Sequence, residues 1–338
     1  MIDLRSDTVT KPTPEMLSAM MSAPIGDDVF GEDPSINALQ EKAALLFGME
    51  DALFCPSGTM TNQIAISAHV GALEEIIVEK ESHIYQYEGG GIFHNSRASV
   101  KLVDGENGKM TAEQVKSSIN PDDIHKPVSV LVSLENTTNR GGGNIYSLSE
   151  LKEIKKVVDE NGLKLHLDGA RVFNAIVEGD YSESDLGSIF DSISICLSKG
   201  LGCPVGSLLL GSKQFIRKAR RIRKVLGGGM RQAGFLAQAG IYALDNHIER
   251  LKEDHLLAKA FESLLQEYSF IEKVIPVKTN IVIFHLKDSI DPQEFLSYLK
   301  SKEVLAVHFG EQAIRFVTHL DLATDTLKRV QSALNEFN

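Results

Sequence analysis

The stretch Ile193-Ser-Ile-Cys-Leu-Ser-Lys-Gly-Leu201 carries the residue with the most distinctive chemistry, Lys199. Apolar Ile193, Ile195 and Leu197 alternate with Ser194 and Cys196, the pattern of a short buried strand. The strand stops at Ser198-Lys199-Gly200. Open α/β sheets bind ligands at the carboxyl ends of their strands, and Gly200 lets another group approach the backbone closely. A lysine whose pKa is lowered is a nucleophile, and its usual covalent product is a Schiff base. Taken alone, Lys199 reads more simply as a surface lysine just past a strand, because lysine is mostly exposed. Its partners decide between the two readings.

Three other stretches offer partners. Ser57-Gly58-Thr59 precedes a helical pattern through Ile64, Ala65 and Ala68. Free N–H groups and the helix dipole favour a phosphate there, although ordinary capping by Ser or Thr would look the same. His83 follows the strand-like Glu75-Ile-Ile-Val78. It could stack on a flat cofactor or move protons near neutral pH, or simply be a hydrogen-bonded loop histidine. Leu163, Leu165 and Leu167 alternate along a strand that delivers Asp168 and Arg171 to its carboxyl end. A phosphate cradle, a flat stacking partner, a carboxylate and a Schiff-base lysine together describe a pyridoxal phosphate site. The carboxylate keeps the pyridine nitrogen protonated, so that the ring accepts electrons from a carbanion. Convergence of a nucleophile with its partners makes the surface-lysine reading the weaker one.

Elements that could position these residues alternate between strand and helix, which indicates a mainly parallel sheet wrapped on both sides by helices. Strands are expected at Ala52–Cys55, Glu75–Val78, Ala98–Val103, Val128–Leu134, Leu163–Leu167, Ile193–Leu197 and Gly206–Gly211. A helix should follow Asp33 as N-cap with Pro34 at its first position and Gly48 at its end. Lys213–Leu226 reads as a basic amphipathic helix. The pattern changes after about residue 245, where helices near 246–267 and 291–301 alternate with strands at Asn280–His285, Val304–Val307 and Ala313–Thr318. We therefore expect a large domain over 1–245 and a smaller α/β domain over 246–338.

The totals exclude several classes. A net charge of -11 argues against a general nucleic-acid binder, and the basic helix is more simply a solvated face or a subunit contact. No apolar run approaches a membrane span. The N-terminus lacks the plan of a signal peptide, and Cys55, Cys196 and Cys203 form no CxxC pair, so a reducing, cytoplasmic location is expected. The acidic stretch Gly26–Pro34 does not have EF-hand spacing, and His83 and His94 lack zinc-motif spacing, so no metal is expected. There is no GxGxxG after the first strand and no Walker loop.

Six motifs together resemble the low-specificity L-threonine aldolases, pyridoxal phosphate enzymes of the type I aspartate-aminotransferase fold. They are Leu4-Arg-Ser-Asp-Thr-Val-Thr-Lys-Pro12, Gly26-Asp-Asp-Val-Phe-Gly-Glu-Asp-Pro34, Pro56-Ser-Gly-Thr59, His166-Leu-Asp-Gly-Ala-Arg171, Leu197-Ser-Lys-Gly200 and Gly227-Gly-Gly-Met-Arg-Gln232. The resemblance runs from end to end. It implies cleavage of L-threonine or L-allo-threonine to glycine and acetaldehyde, with racemisation or β-elimination as the alternative on the same scaffold. It implies pyridoxal 5'-phosphate held as an aldimine on Lys199, paired through its ring nitrogen with Asp168, stacked on His83 and held at its phosphate by Ser57, Gly58 and Thr59. Ser6, Arg171 and Arg315 would meet the substrate carboxylate, with Arg171 also near the cofactor. His83 is the first candidate for the base at the β-hydroxyl and His125 the second. The same resemblance implies a homo-oligomer, expected to be a tetramer, whose subunits share sites, with Lys224 and Arg231 reaching the phosphate across an interface. Lys126 and Gln86 stand where aromatic residues are frequent in the family.

Overall fold

The computed structural model describes residues 1–337. Strand β1 (Ile2–Asp3) opens the chain and is followed by helices α1 (Pro14–Met21) and α2 (Pro34–Phe47). The expected caps of α2 form: Asp33 accepts from the Ile36 N–H at 3.0 Å, and Gly48 closes the helix at φ 62. Then come β2 (Asp51–Cys55), α3 (Gly58–His69), β3 (Glu74–Glu79), the single turn α4 (His83–Gln86), β4 (Ser99–Val103) and α5 (Ala112–Ser118). The chain continues through β5 (Val128–Glu135), α6 (Leu148–Glu160), β6 (Lys164–Gly169), α7 (Val172–Glu178), α8 (Glu183–Ile189), β7 (Ser192–Cys196) and β8 (Ser207–Gly211). Helices α9 (Lys213–Val225), α10 (Gly234–Asn246) and α11 (Leu251–Leu265) lead into β9 (Ile271–Val274), β10 (Ile281–Leu286), α12 (Pro292–Ser301), β11 (Val304–Leu305), β12 (Val307–His308), β13 (Ala313–Val317) and α13 (Thr326–Asn335).

Seven strands form the main sheet in the order β2-β8-β7-β6-β5-β3-β4. Its pairs are parallel except where β8 meets β7 and β2. The reversal follows from chain length: only ten residues separate Cys196 from Ser207, too few for the helical crossover a parallel return requires. Because β8 is the one reversed strand, the carboxyl ends of β2, β3, β5, β6 and β7 share one edge. The register places Glu135 beside Asp168 and Asp168 beside Ser194, with Lys199 just beyond. The strands of the middle are buried on both faces, which is why β7 carries no exposed residue at all.

A second, four-stranded antiparallel sheet, β12-β13-β10-β9, packs its Phe284 and Phe316 against Phe261 of α11 and Phe295 of α12. Ile2 and Leu4 join this cluster, and β1 pairs in parallel with β11. The first residues of the chain are thus built into the C-terminal unit, whereas the sequence pattern groups them with the large domain over 1–245. The expected strand Val304–Val307 is split in two: β11 pairs with β1 and β12 with β13. Helix α10 and strand β9 had no sequence signal. Gly234 and Gly240 weaken the helical pattern of α10, yet Gly240 is needed, because a Cβ there would lie 2.9 Å from both Leu39 and Leu197.

Candidate active site

The start of α3 is tied into the sheet edge. Ser57 caps the helix by accepting from the Met60 N–H at 3.2 Å, which leaves the first-turn N–H groups of Gly58 and Thr59 turned toward the edge as donors without helical acceptors. Thr61 Oγ1 and Ser194 Oγ share a 2.6 Å hydrogen bond that joins α3 to β7. Only glycine fits at position 58: a Cβ there would stand 2.4 Å from Cys196 Sγ. The helix start therefore lies against the residue that precedes the lysine loop. That loop is fixed by its backbone, since the Lys199 carbonyl accepts from the Gly202 N–H at 2.8 Å and from Thr10 Oγ1 at 3.1 Å.

Asp168 is the penultimate residue of β6 and is buried. Its Oδ1 accepts from the Ala170 N–H at 3.2 Å, while Oδ2 is buried with no partner among the described residues. An orphaned carboxylate oxygen in such a place costs free energy unless something donates to it. One nitrogen or oxygen each from His83, Glu88 and Asp168 lie within 4.8 Å of one another. His83 Nδ1 is 3.1 Å from Glu88 Oε1, and the His83 backbone N–H donates to Glu135 Oε2 at 2.7 Å. Burial works against a charge on His83, but the Glu88 hydrogen bond and the charges of Asp168 and Glu88 outweigh it and raise the imidazole pKa. Glu135 is fully buried beside Asp168. Burial first, and the Asp168 charge second, push its pKa up to about 7.

Positive charge enters from two directions, from beyond β6 and from β13. Arg171 lies just past β6 and makes a bidentate pair with Asp7: Nε donates to Oδ2 and Nη2 to Oδ1, both at 2.7 Å. Asn280 adds a 3.1 Å bond to Asp7. Burial opposes the Asp7 charge, yet Arg171 and Lys199 bring the carboxyl down to about 2. Arg315, in β13, donates to Asn139 Oδ1 at 2.9 Å and to the Arg5 carbonyl at 3.0 Å, and its Nε is buried without a partner among the described residues. Its guanidinium lies 4.5 Å from the ring centre of Phe309, whose ring also carries Arg140 at 4.2 Å. Burial and the nearby Arg171 lower the Arg315 pKa to about 10, so it remains a cation at neutral pH. Ser6 caps the short turn that presents Asp7, accepting from the Thr8 N–H at 3.2 Å.

This chain therefore gathers Ser6, Ser57, Gly58, Thr59, His83, Asp168, Arg171, Lys199 and Arg315 around one edge. It does not bring His125, Lys224 or Arg231 there. His125 is an exposed residue before β5, paired with Asp123 at 2.8 Å. The eight residues of β5 separate it from the edge, roughly 26 Å at strand rise. The expectation that His125 acts as a second base is corrected to this extent: within one chain it is at the wrong end of its strand. Lys224, in the last turn of α9, and Arg231, beyond that helix, are both exposed; Arg231 pairs with Asp27 at 3.0 Å and Lys224 borders a surface depression with Val29 and Phe30.

A beta-eliminating lyase family model matches residues 3–289. Across 338 aligned residues, 43% are identical to the low specificity L-threonine aldolase of Escherichia coli K12, covering 100% of this chain and 99% of that protein. The chain belongs to the low-specificity L-threonine aldolase family. The family member of Saccharomyces cerevisiae is 40% identical over 342 residues, covering 99% of this chain and 86% of the yeast protein. Among solved structures, a threonine aldolase of Leishmania major superposes with a TM-score of 0.86 at 22% identity, covering 100% of this chain and 99% of that one. A serine palmitoyltransferase of Sphingomonas wittichii superposes at 0.78 with 16% identity over 98% of this chain and 86% of that one. The fold is the type I fold of pyridoxal phosphate enzymes that the sequence led us to expect.

For a threonine aldolase-family chain, the residues that sequence reasoning overlooked are acids and amides behind the edge. Glu88 lies five positions after His83, and its carboxylate accepts from Asn62 Nδ2 at 3.0 Å and Gln63 Nε2 at 2.6 Å. Asn62 and Gln63 break an otherwise apolar face of α3, which was the available signal. Glu135 ends β5 in the same register as Asp168 and was legible only as part of a polar loop. Asp7 gave no sign of its pairing with Arg171, 164 residues away.

Proposed function

We propose that this protein is a pyridoxal phosphate-dependent carbon–carbon lyase that cleaves L-threonine and L-allo-threonine to glycine and acetaldehyde. The observation that carries the reading is the meeting, at one sheet edge of a family member, of Lys199, the donor-less Asp168 Oδ2 and His83. These residues fit the cofactor. Asp168 Oδ2 lacks a donor, which the protonated pyridine nitrogen would supply. The first turn of α3 supplies phosphate donors through Ser57, Gly58 and Thr59. Lys199 would hold the aldehyde carbon covalently. When bound, pyridoxal phosphate accepts the electron pair left at Cα as the Cα–Cβ bond breaks.

The remaining work belongs to the chain. Arg315 and Arg171 offer the substrate carboxylate two guanidinium groups, with Ser6 beside them. Arg315 contributes its partnerless Nε, while Arg171 has Nη1 left outside its Asp7 pair. Gripping the carboxylate fixes which substituent of Cα stands ready to break. His83 takes the proton of the β-hydroxyl, so that its oxygen closes to the aldehyde. The low-dielectric surroundings of buried Glu135 and Asp168 strengthen each of these charge contacts.

Our reading also includes a homotetramer with shared sites, in which His125, Lys224 and Arg231 of one copy serve another. Supporting it, Val29 and Phe30 are exposed apolar residues next to Lys224, and His125 has no route to its own edge. We place the division of the chain near residue 245, with β1 counted in the second unit. A cytoplasmic location agrees with three buried free cysteines, and no helix among the described residues is long and apolar enough to cross a membrane.

The test offers cofactor-loaded protein L-threonine and L-allo-threonine separately and follows acetaldehyde and glycine, with Lys199→Ala as the control. Equimolar products that vanish in the variant are expected. Ammonia and a 2-oxo acid in their place would move the chain to β-elimination.

A further inference from the structure

Glu88 stands in the middle of a hydrogen-bonded set that runs from the site edge through the sheet. Its Oε1 meets His83 Nδ1 at 3.1 Å and Asn62 Nδ2 at 3.0 Å, and its Oε2 accepts from Gln63 Nε2 at 2.6 Å. Behind Asn62 the set continues. Asn62 Oδ1 is 3.2 Å from His166 Nε2, His166 Nδ1 is 2.9 Å from Ser192 Oγ, and Ser192 Oγ is 2.8 Å from His69 Nε2. Gln63 Oε1 in turn accepts from Asn95 Nδ2 at 3.0 Å.

A carboxylate can only accept, and this fixes the direction of each bond in turn. Asn62 and Gln63 must present their NH2 groups to Glu88. Asn62 Oδ1 then needs a donor, so His166 carries its proton on Nε2. Nδ1 of His166 is left as an acceptor, so Ser192 donates its hydroxyl proton there and accepts from His69 Nε2–H. His166 must stay neutral for this arrangement, whereas His69 needs only its Nε2 proton. Burial, the largest influence on each, lowers His69 to about 4 and His166 to about 3. The same logic applies at the front. His83 must carry a proton on Nδ1 to satisfy Glu88, and its Nε2 has no hydrogen-bond partner among the described residues.

We infer that Glu88 is the positioning residue for His83: it holds the proton on Nδ1 and keeps Nε2 as the atom that exchanges a proton with substrate, while Asn62, Gln63, His166, Ser192 and His69 lock the carboxylate. This rests on the reading of His83 as the base. The other groups facing His83 are Tyr87 and Glu88 on its own segment, Asp168 from β6, Lys199 beyond β7 and Glu135, which holds its backbone N–H. Asp168 and Glu88 favour the imidazolium and Lys199 opposes it. Among the described residues Glu88 is the one acid hydrogen-bonded to the ring, so its charge is the one whose removal the ring senses most directly.

The experiment uses cofactor-loaded full-length protein with ring-15N histidine, His83 being assigned by the loss of its signals in His83→Phe. In the wild type, neutral His83 should carry its proton on Nδ1. The other tautomer would overturn the inference with no variant needed. In Glu88→Gln the His83 pKa should fall by about one unit or more, as expected for loss of an opposite charge at contact distance. The acid limb of the kcat/KM profile should move with it, and kcat at pH 7 should fall about tenfold or more with KM little changed. Glu88→Asp, which keeps the charge, should restore the His83 pKa toward wild type. An unaltered His83 titration in Glu88→Gln would overturn the pairing. A shifted titration with an unaltered rate profile would overturn the proton-exchange role. Failure of the wild type to release acetaldehyde would instead overturn the aldolase reading, and the tautomer would still decide the Glu88–His83 pair on its own.

Discussion

Removing the charge of Asp7 should destabilise the whole chain, because Asp7 is the counter-ion of a buried arginine. In Asp7→Asn, the Arg171 guanidinium keeps its place at 7% exposure but loses two charge-assisted bonds of 2.7 Å. Its other charged neighbours are the cation Arg315 and the buried Glu135, and the Glu135 oxygens accept from the His83 and Asn139 N–H groups instead, so the two lost bonds have no ready replacement. Stripping one partner from a buried pair costs about 3–5 kcal/mol, mostly as the penalty for the charge left behind. With an unfolding entropy near 2.1 cal/mol/K per residue, a chain of this length should melt about 4–7 °C lower. Replacing both residues, as Asp7→Leu with Arg171→Met, should cost less than Asp7→Asn alone, since neither charge is then stranded. The pair also predicts a sign for pH. The Asp7 carboxyl is brought from 3.8 to about 2 on folding. Its contribution of about 2 kcal/mol is therefore complete above pH ~4 and is lost as the pH falls through about 2. The assay is a thermal melt of cofactor-free protein at pH 7, repeated down the acid range. A melting point for Asp7→Asn within about 1 °C of wild type would refute the argument that Arg171 depends on this carboxylate.

Two other perturbations follow from the geometry. Glu135 is raised to about 7, so between about pH 4.5 and 7 the folded chain holds a proton that the unfolded chain has released, and stability declines across that window. Glu135→Gln should flatten the decline, by up to about 3 kcal/mol, while lowering absolute stability because one backbone donor loses its acceptor; urea midpoints at pH 5 and pH 8 measure both, and an undiminished slope would count against it. Gly58→Ala would put a Cβ 2.4 Å from Cys196 Sγ and displace the start of α3. Overpacking of about 1–3 kcal/mol should weaken pyridoxal phosphate affinity tenfold or more in a titration of bound-cofactor absorbance, and Cys196→Ala in the same chain should restore it; unchanged affinity in the single variant would refute the crowding argument.

The sequence disclosed those features whose cause is local. Alternation in Leu163–Leu167 and Ile193–Leu197 marked two neighbouring central strands, and the Asp33–Pro34 start and Gly48 stop of α2 were visible because capping involves only adjacent residues. It therefore also disclosed that Asp168 and Lys199 lie at strand ends, and the six motifs supplied the family. Pairing across the chain was not visible. Nothing near Arg171 signals that Asp7 occupies two of its nitrogens, and nothing near His83 signals that Glu88 is held in turn by amides from α3. His125 shows the limit from the other side. The family resemblance assigned its chemistry, but only the direction of β5 reveals that its own chain carries it away from the edge. Helix α10 was hidden because the glycines that let it pack closely are the residues that spoil a helical pattern.

The pairing of Ile2 with Val304 has a consequence for the order in which the molecule is made. A ribosome adding about 5–20 residues per second takes roughly 15–60 s to travel from the second residue to the three-hundred-and-fourth. For that interval the main sheet can assemble around β5, β6 and β7, but the strand that anchors Ser6 and Asp7 has no neighbour to bind. The corner that holds Ser6, Asp7 and Arg171 is thus closed late, when Ile2 and Asp3 meet Val304 and Leu305.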